Sequence, residues 1–235
     1  MNKTVGILYP GYSAEDDYPL AEKLLGGPAL PLVHTEMRVD AHRVDALLDI
    51  GGDDVLAAGW KELPQPLDAV VWACTSGSFV FGWDGAAAQV AALRGTAGVP
   101  ASSTSFAFVD ACAHLDVAKV AVGATYPDDV AARFVDFLAS AGIEVLTLSS
   151  RGIVTAAEVG TLPPETVLDF AAAADHPDAD AVLLPDTALH TIGLLDALEE
   201  RVGKPVLTAN QVSIWQGLRL AGAADPRPGF GALFR

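Results

Sequence analysis

The chain has 235 residues, 51% of them apolar and 7% aromatic, and a formal net charge of −16. Its 14 Lys and Arg are spread along the chain, so no clustered basic face exists to meet nucleic acid or an anionic membrane, and neither partner is expected. Two cysteines exclude a disulfide framework, and no apolar run reaches the roughly 20 residues of a spanning helix. Met1 to Tyr9 leads into a strand pattern rather than a signal peptide, and a cytoplasmic setting is expected.

Strands and helices alternate along the chain. A β-branched run at Val5–Leu8 ends in Tyr9-Pro10-Gly11. A second at Ala69–Trp72 runs into Cys74-Thr75-Ser76-Gly77-Ser78-Phe79. Helical patterns follow at Gly85–Arg94 and Ser105–Leu115, then a strand at Val120–Val122 ending in Tyr126-Pro127. The helix expected over Asp128–Ala141 opens on two carboxylates, Asp128 and Asp129, which suit a first turn. Further strands fall at Val145–Leu148, Ala181–Leu184 and Pro205–Leu207. Further helices are expected at Pro164–Ala174, Ala188–Val202 and Gln211–Leu220. Short, continuous apolar strands between helices predict an α/β fold with parallel sheets.

Three stretches occur twice, in the same order. Val5-Gly6-Ile7-Leu8-Tyr9-Pro10 matches Val122-Gly123-Ala124-Thr125-Tyr126-Pro127. Asp68-Ala69-Val70-Val71-Trp72-Ala73-Cys74-Thr75 matches Asp180-Ala181-Val182-Leu183-Leu184-Pro185-Asp186-Thr187. Gly98-Val99-Pro100-Ala101-Ser102-Ser103 matches Gly203-Lys204-Pro205-Val206-Leu207-Thr208. The chain therefore reads as two pseudo-symmetric, doubly wound parallel-sheet halves, 1–115 and 116–235. The last helix is expected to pack back on the first half.

Ligands of open α/β sheets bind beyond the carboxyl ends of the strands. Facing halves would bring Pro10, Gly11, Cys74, Thr75, Ser76, Tyr126, Asp186, Thr187 and Ala188 to one cleft. Cys74 and Asp186 then stand on opposite walls, suited to proton transfer on two faces of a carbon beside a carboxylate. Hydroxyls and amides of the Cys74–Phe79 loop, with Thr187 and the Ala188 amide opposite, can hold a carboxylate or an enediolate. Taken singly, Cys74 also fits a core thiol, Asp186 a helix cap and Tyr126 a packed ring. Cys112 reads as core. His190, four residues after Asp186, has no third ligand near it, so no metal is expected. His34, His42, His114 and His176 read as surface or helix-face residues. Phosphate-loop, dinucleotide and GxSxG signatures are missing.

The duplicated unit with paired cleft residues resembles the aspartate/glutamate racemase superfamily, in its arylmalonate decarboxylase and maleate cis-trans isomerase branch. The likeness is carried by the Val5–Pro10, Cys74–Phe79 and Ala124–Asp129 stretches, by Trp215-Gln216-Gly217-Leu218-Arg219-Leu220-Ala221-Gly222, and by the tail Arg227–Phe234. The resemblance implies an enzyme with no cofactor or metal, acting on a small carboxylate or dicarboxylate through a cysteine, and able to form a homo-oligomer. It implies carboxylate binding by Thr75, Ser76 and Tyr126. It also implies a departure. Racemases and maleate isomerases carry cysteine on both walls, and arylmalonate decarboxylases carry glycine on the first and cysteine on the second. This chain has Cys74 and Asp186, and Ser13 near the place of the isomerases' asparagine. The leading expectation is an isomerase or racemase with Cys74 and Asp186 as the catalytic pair. The alternatives are a malonate-type decarboxylase with Cys74 as proton donor, and a catalytically silent binding protein.

Overall fold

The structure, a computed structural model, describes residues 3–235. The first half builds a parallel sheet from β1 (Val5–Pro10), β2 (Leu32–Thr35), β3 (Ala69–Trp72) and β4 (Ala101–Ser103), in the order β2-β1-β3-β4. The second builds another from β5 (Lys119–Ala124), β6 (Glu144–Ser150), β7 (Ala181–Leu184) and β8 (Val206–Thr208), in the order β6-β5-β7-β8. The two orders are the same pattern, as the sequence repeat predicts. The central strands β1, β3, β5 and β7 are almost wholly buried, which explains their unbroken apolar runs.

The repeated residues do the same local work twice. Asp68 and Asp180 each clip the start of the neighbouring strand. Asp68 accepts from the Thr4 amide at 2.9 Å and pairs with Lys3 at 2.7 Å. Asp180 accepts from the Ala118 and Lys119 amides at 3.1 and 2.8 Å. Gly98 and Gly203 each end a helix, α5 (Gly82–Ala97) and α10 (Leu195–Val202), in the left-handed conformation that glycine adopts without a Cβ clash. A strand and then a helix N-terminus follow in both cases: α6 (Thr104–His114) after β4 and α11 (Ala209–Leu220) after β8. Thr208 caps α11 in a capping box with Gln211.

Helix α11 leaves its own sheet and lies against β3 and β4. The approach is close enough that a Cβ on Gly217 would stand 2.4 Å from Val5 Cγ1 and 3.1 Å from Val71 Cγ2. It also packs on α6, where Thr104 and Ser213 share a hydroxyl bond of 2.6 Å. A continuous core runs from the first sheet through α6 and α11 to Val120, Val122 and Leu183 of the second.

Two expectations differ from the structure. β2 and the helices α1 (Asp17–Leu25), α2 (Val44–Ile50) and α3 (Asp53–Glu62) occupy a stretch without assigned elements. The helix expected over Ala188–Val202 is shorter. Residues 187–189 form a turn and bend, 190–191 are irregular, Ile192–Leu194 form a 3-10 turn, and α10 begins at Leu195. The amides that would start a longer helix are taken by side chains. Asp186 accepts from Ala188 N at 2.9 Å, and Asp17 accepts from Thr191 N and Ile192 N at 2.9 and 3.3 Å. Local carboxylate–amide bonds of this kind compete with helix formation.

Candidate active site

Cys74 and Asp186 each stand two residues beyond the end of a central strand, β3 and β7. Both line one small cavity, of about 30 Å³, at the carboxyl ends of the two sheets. Pro10, Ser13, Ser76, Thr187 and Ala188 line it as well. The remaining wall comes from a strap between β2 and α2 (Met37, Val39, Asp40, Ala41 and His42), from Leu47 and Ile50 of α2, and from Ala156.

The Cys74 thiol is buried and receives the Gly77 amide at 3.2 Å. Ser76 Oγ lies 3.8 Å away. Gly77 opens no room for movement: its carbonyl accepts from Gln89 Nε2 at 2.9 Å and from Trp72 Nε1 at 3.3 Å. Burial pushes the thiol pKa up to about 12, with the Asp186 charge adding to the rise and the Gly77 and Ser76 contacts opposing it. The thiol is therefore neutral at rest. Cys112 is also pushed up to about 12, by burial alone, inside α6.

Asp186 is 4% exposed. Its Oδ1 accepts from the Ala188 amide and its Oδ2 from the Thr125 hydroxyl. His42 Nε2 stands 3.9 Å from Oδ2. His42 is buried, against the surface placement expected of it. The sequence around it has no periodicity, and its position depends on bonds to residues 153 and 154, more than 100 positions away.

The other expected residues fall close to the cavity but not all on it. Tyr126 lies behind Asp186, buried, and donates to the Pro185 carbonyl at 2.6 Å. Burial also holds its phenol well above its ordinary pKa. Thr75 is buried, and its hydroxyl has no hydrogen-bond partner among the described residues. Gly11 adopts φ +64°, and its carbonyl accepts from His34 Nδ1 at 2.6 Å. Tyr9, also buried, donates to the Thr187 carbonyl at 2.9 Å and so ties the first half to the second wall. His190 is not near Asp186 on a helix face; it bonds Asp16 at 2.7 Å on the surface. No group of three or more His, Cys, Asp or Glu among the described residues is placed to hold a metal.

A larger open groove of about 830 Å³ lies elsewhere, between α10 and the C-terminal tail. Two of its cations, Lys204 and Arg235, are already paired, with Asp175 and Glu199, and it holds no thiol or imidazole. The smaller cavity, which holds the thiol and the carboxylate, is therefore the candidate site. No helix among the described residues is long and apolar enough to cross a membrane.

This architecture has counterparts among known proteins. The family described as arylmalonate decarboxylase matches residues 51–234. The chain belongs to the arylmalonate decarboxylase family. The arylmalonate decarboxylase of Bordetella bronchiseptica is 34% identical over 163 residues, 68% of each chain. A maleate isomerase of Alcaligenes faecalis is 28% identical over 134 residues, 57% of this chain and 53% of its own length. Among solved structures, a double variant of arylmalonate decarboxylase in its liganded form superposes with a TM-score of 0.84 at 26% identity. It covers 99% of this chain and 98% of its own, and has one glycine changed to cysteine and one cysteine changed to serine. In this member of the family the two places in the cavity are taken by Cys74 and Asp186.

Proposed function

We propose that the protein is a cofactor-independent isomerase or racemase acting at the carbon next to a carboxylate of a small organic acid. One observation carries the reading: a thiol and a carboxylate, from equivalent places in the two halves, line the same cavity. Asp186 removes a proton from one face of the substrate carbon. The electron pair stays on the substrate as an enediolate, and the neutral Cys74 thiol protonates the opposite face. The Ser76 hydroxyl, with that of Thr187 opposite, holds the carboxylate, while the Ala188 amide stays on Asp186. Thr75 supplies an unused hydroxyl, and Tyr126 joins if it releases the Pro185 carbonyl. Pro10 lines the floor, and Gly11 supports it from behind through its bond with His34. A cavity of about 30 Å³ has space for little more than a water, so substrate entry opens the strap.

A second reading is decarboxylation of an arylmalonate-type diacid, with Cys74 as the proton donor. It is favoured by the named activity of the 34% identical relative and by the protonated state of the buried thiol. Asp186 would then oppose the carboxylate that leaves by like-charge repulsion.

Two probes in deuterated water separate the readings. Racemisation of enantiopure 2-phenylpropionate with deuterium appearing at the α-carbon supports the first. Carbon dioxide release from phenylmalonate without that exchange supports the second. Neither reaction, with neither acid raising the melting temperature, overturns both.

A further inference from the structure

We propose that His42 is a positioning residue for Asp186, acting through it by carrying away the proton that Asp186 takes from substrate. The inference rests on the reading of Asp186 as the base of the second wall.

The ring is fixed on two sides. The His42 backbone amide donates to the Val154 carbonyl at 2.6 Å, and ring Nδ1 lies 2.9 Å from the Ile153 carbonyl. A carbonyl only accepts, so Nδ1 bears the hydrogen. In the neutral ring Nε2 then presents its lone pair. Tyr126 packs edge-on against the imidazole, centroids 4.9 Å apart at 85°. With its tautomer and plane set, Nε2 faces Asp186 Oδ2 at 3.9 Å. Two acceptors form no hydrogen bond, but once Asp186 has taken the substrate's proton its O–H can donate to Nε2 after a shift of about 1 Å.

Four titratable groups surround the ring. Asp186 comes from the turn after β7. Tyr126 comes from the turn after β5, its hydroxyl hydrogen given to Pro185. Cys74 lies on the same cavity, neutral. Asp40, on the strap itself, has both oxygens bound to the Ala156 and Ala157 amides at 2.7 and 3.0 Å. Of these, Asp186 is the one that both gains a proton in turnover and faces the free nitrogen.

The proton step balances. Substrate C–H breaks, and its proton becomes the O–H of Asp186. That O–H breaks as N–H forms on Nε2, leaving carboxylate and imidazolium side by side. The imidazolium then loses its proton to water admitted as the strap opens. Without this exit, Asp186 retains the substrate's own proton and returns it to the carbon.

The test compares wild type with His42→Asn, whose side-chain amide keeps a donor for Ile153 and removes the nitrogen facing Asp186. The probe is 2-phenylpropionate deuterated at the α-carbon, in ordinary water. The expected result is a fall of about 10²-fold, the low end of a general-base contribution, in deuterium lost from recovered, unracemised substrate per racemisation event. An unchanged ratio, even with slower turnover, marks a merely structural His42 and overturns the proposal. If wild type loses no label, or Asp186→Asn turns over at the wild-type rate, the parent reading fails and this one with it. A loss of activity in Asp186→Asn alongside an unchanged ratio in His42→Asn sinks the relay alone. Nitrogen-15 imidazole spectra of the substrate-free protein give an independent check. They should show His42 protonated at Nδ1, identified by its absence in His42→Asn, with Nε2 moved by Asp186→Asn. Protonation at Nε2, or indifference to Asp186→Asn, overturns the proposal.

Discussion

The two walls of the cleft are built on one plan and given different chemistry. On each, a buried central strand ends, and two residues later a side chain receives an amide hydrogen from its own turn. Gly77 N donates to Cys74 Sγ at 3.2 Å, and Ala188 N donates to Asp186 Oδ1 at 2.9 Å. Beyond that bond the walls diverge. The Cys74 wall is tight and mostly apolar: Gly77 is locked by Gln89 and Trp72, and a Cβ on Gly51 would stand 2.2 Å from the Gly77 carbonyl. The Asp186 wall is polar, with the Thr125 hydroxyl bound to the carboxylate and His42 facing it. The repeat sets where the two groups stand. Their neighbours leave one a neutral thiol and the other a hydrogen-bond acceptor.

The largest effect that can break this comparison is at Cys74. Cys74→Ala removes the acid of the first wall, and no other side chain there can replace it. Turnover should fall by about 10²- to 10⁴-fold, the usual span of general acid–base catalysis, with little change in melting temperature. Initial rates on 2-phenylpropionate and phenylmalonate check it, and near-wild-type rates on either would remove Cys74 from the chemistry. Asp186→Asn sharpens the contrast. It should cost about 10²-fold in α-carbon exchange, while a decarboxylation that needs one proton donor largely continues. Equal losses in both reactions would mean that the walls are not divided as acid and base.

Tyr126→Phe asks a smaller question: whether the second half binds substrate through this phenol or only supports Asp186. The variant leaves the buried Pro185 carbonyl without its donor, a loss of about 1–3 kcal/mol in stability. A rise in KM beyond that loss of stability would assign Tyr126 to the substrate. Unchanged kinetics in the folded variant would make it a support for the Pro185–Asp186 turn.

How much of this was legible in the sequence follows from where each signal resides. The two-sheet architecture was readable because Asp68 and Asp180, or Gly98 and Gly203, act on backbone within their own half, so each copy keeps its residues. The placement of Cys74 and Asp186 on one cavity follows from that repeat. The strap was not readable. Met37, Asp40 and His42 carry no period, and the last two are positioned by Ile153, Val154 and Ala156 of the other half. The overlong helix at Ala188 failed for a related reason, since Asp17, from α1, captures the amides of Thr191 and Ile192. Local pattern reports what neighbours in sequence do, and these segments answer to neighbours in space.

The smallest effect tests whether burial alone sets the state of the first wall. Cys74 and Cys112 occupy different surroundings, one on the cavity and one inside α6, yet burial pushes both up to about 12. Only Cys74 has further causes, the Gly77 and Ser76 contacts that lower it and the Asp186 charge that raises it. A thiol near 8.5 in the unfolded chain and near 12 in the folded one binds more protons when folded between those values. Stability from this source is intact below about pH 8.5 and is lost as pH rises through that window. Denaturant titrations at pH 8 and pH 10.5 should therefore show a lower midpoint at the higher pH. Cys112→Ala, with activity unchanged, should remove part of that drop, and Cys74→Ala at least as large a part. Adding Asp186→Asn to Cys112→Ala should shrink the remainder, because it deletes the one cause besides burial that raises Cys74. If that last change leaves the alkaline drop as it was, desolvation acts alone on the first wall and the two walls are electrostatically independent.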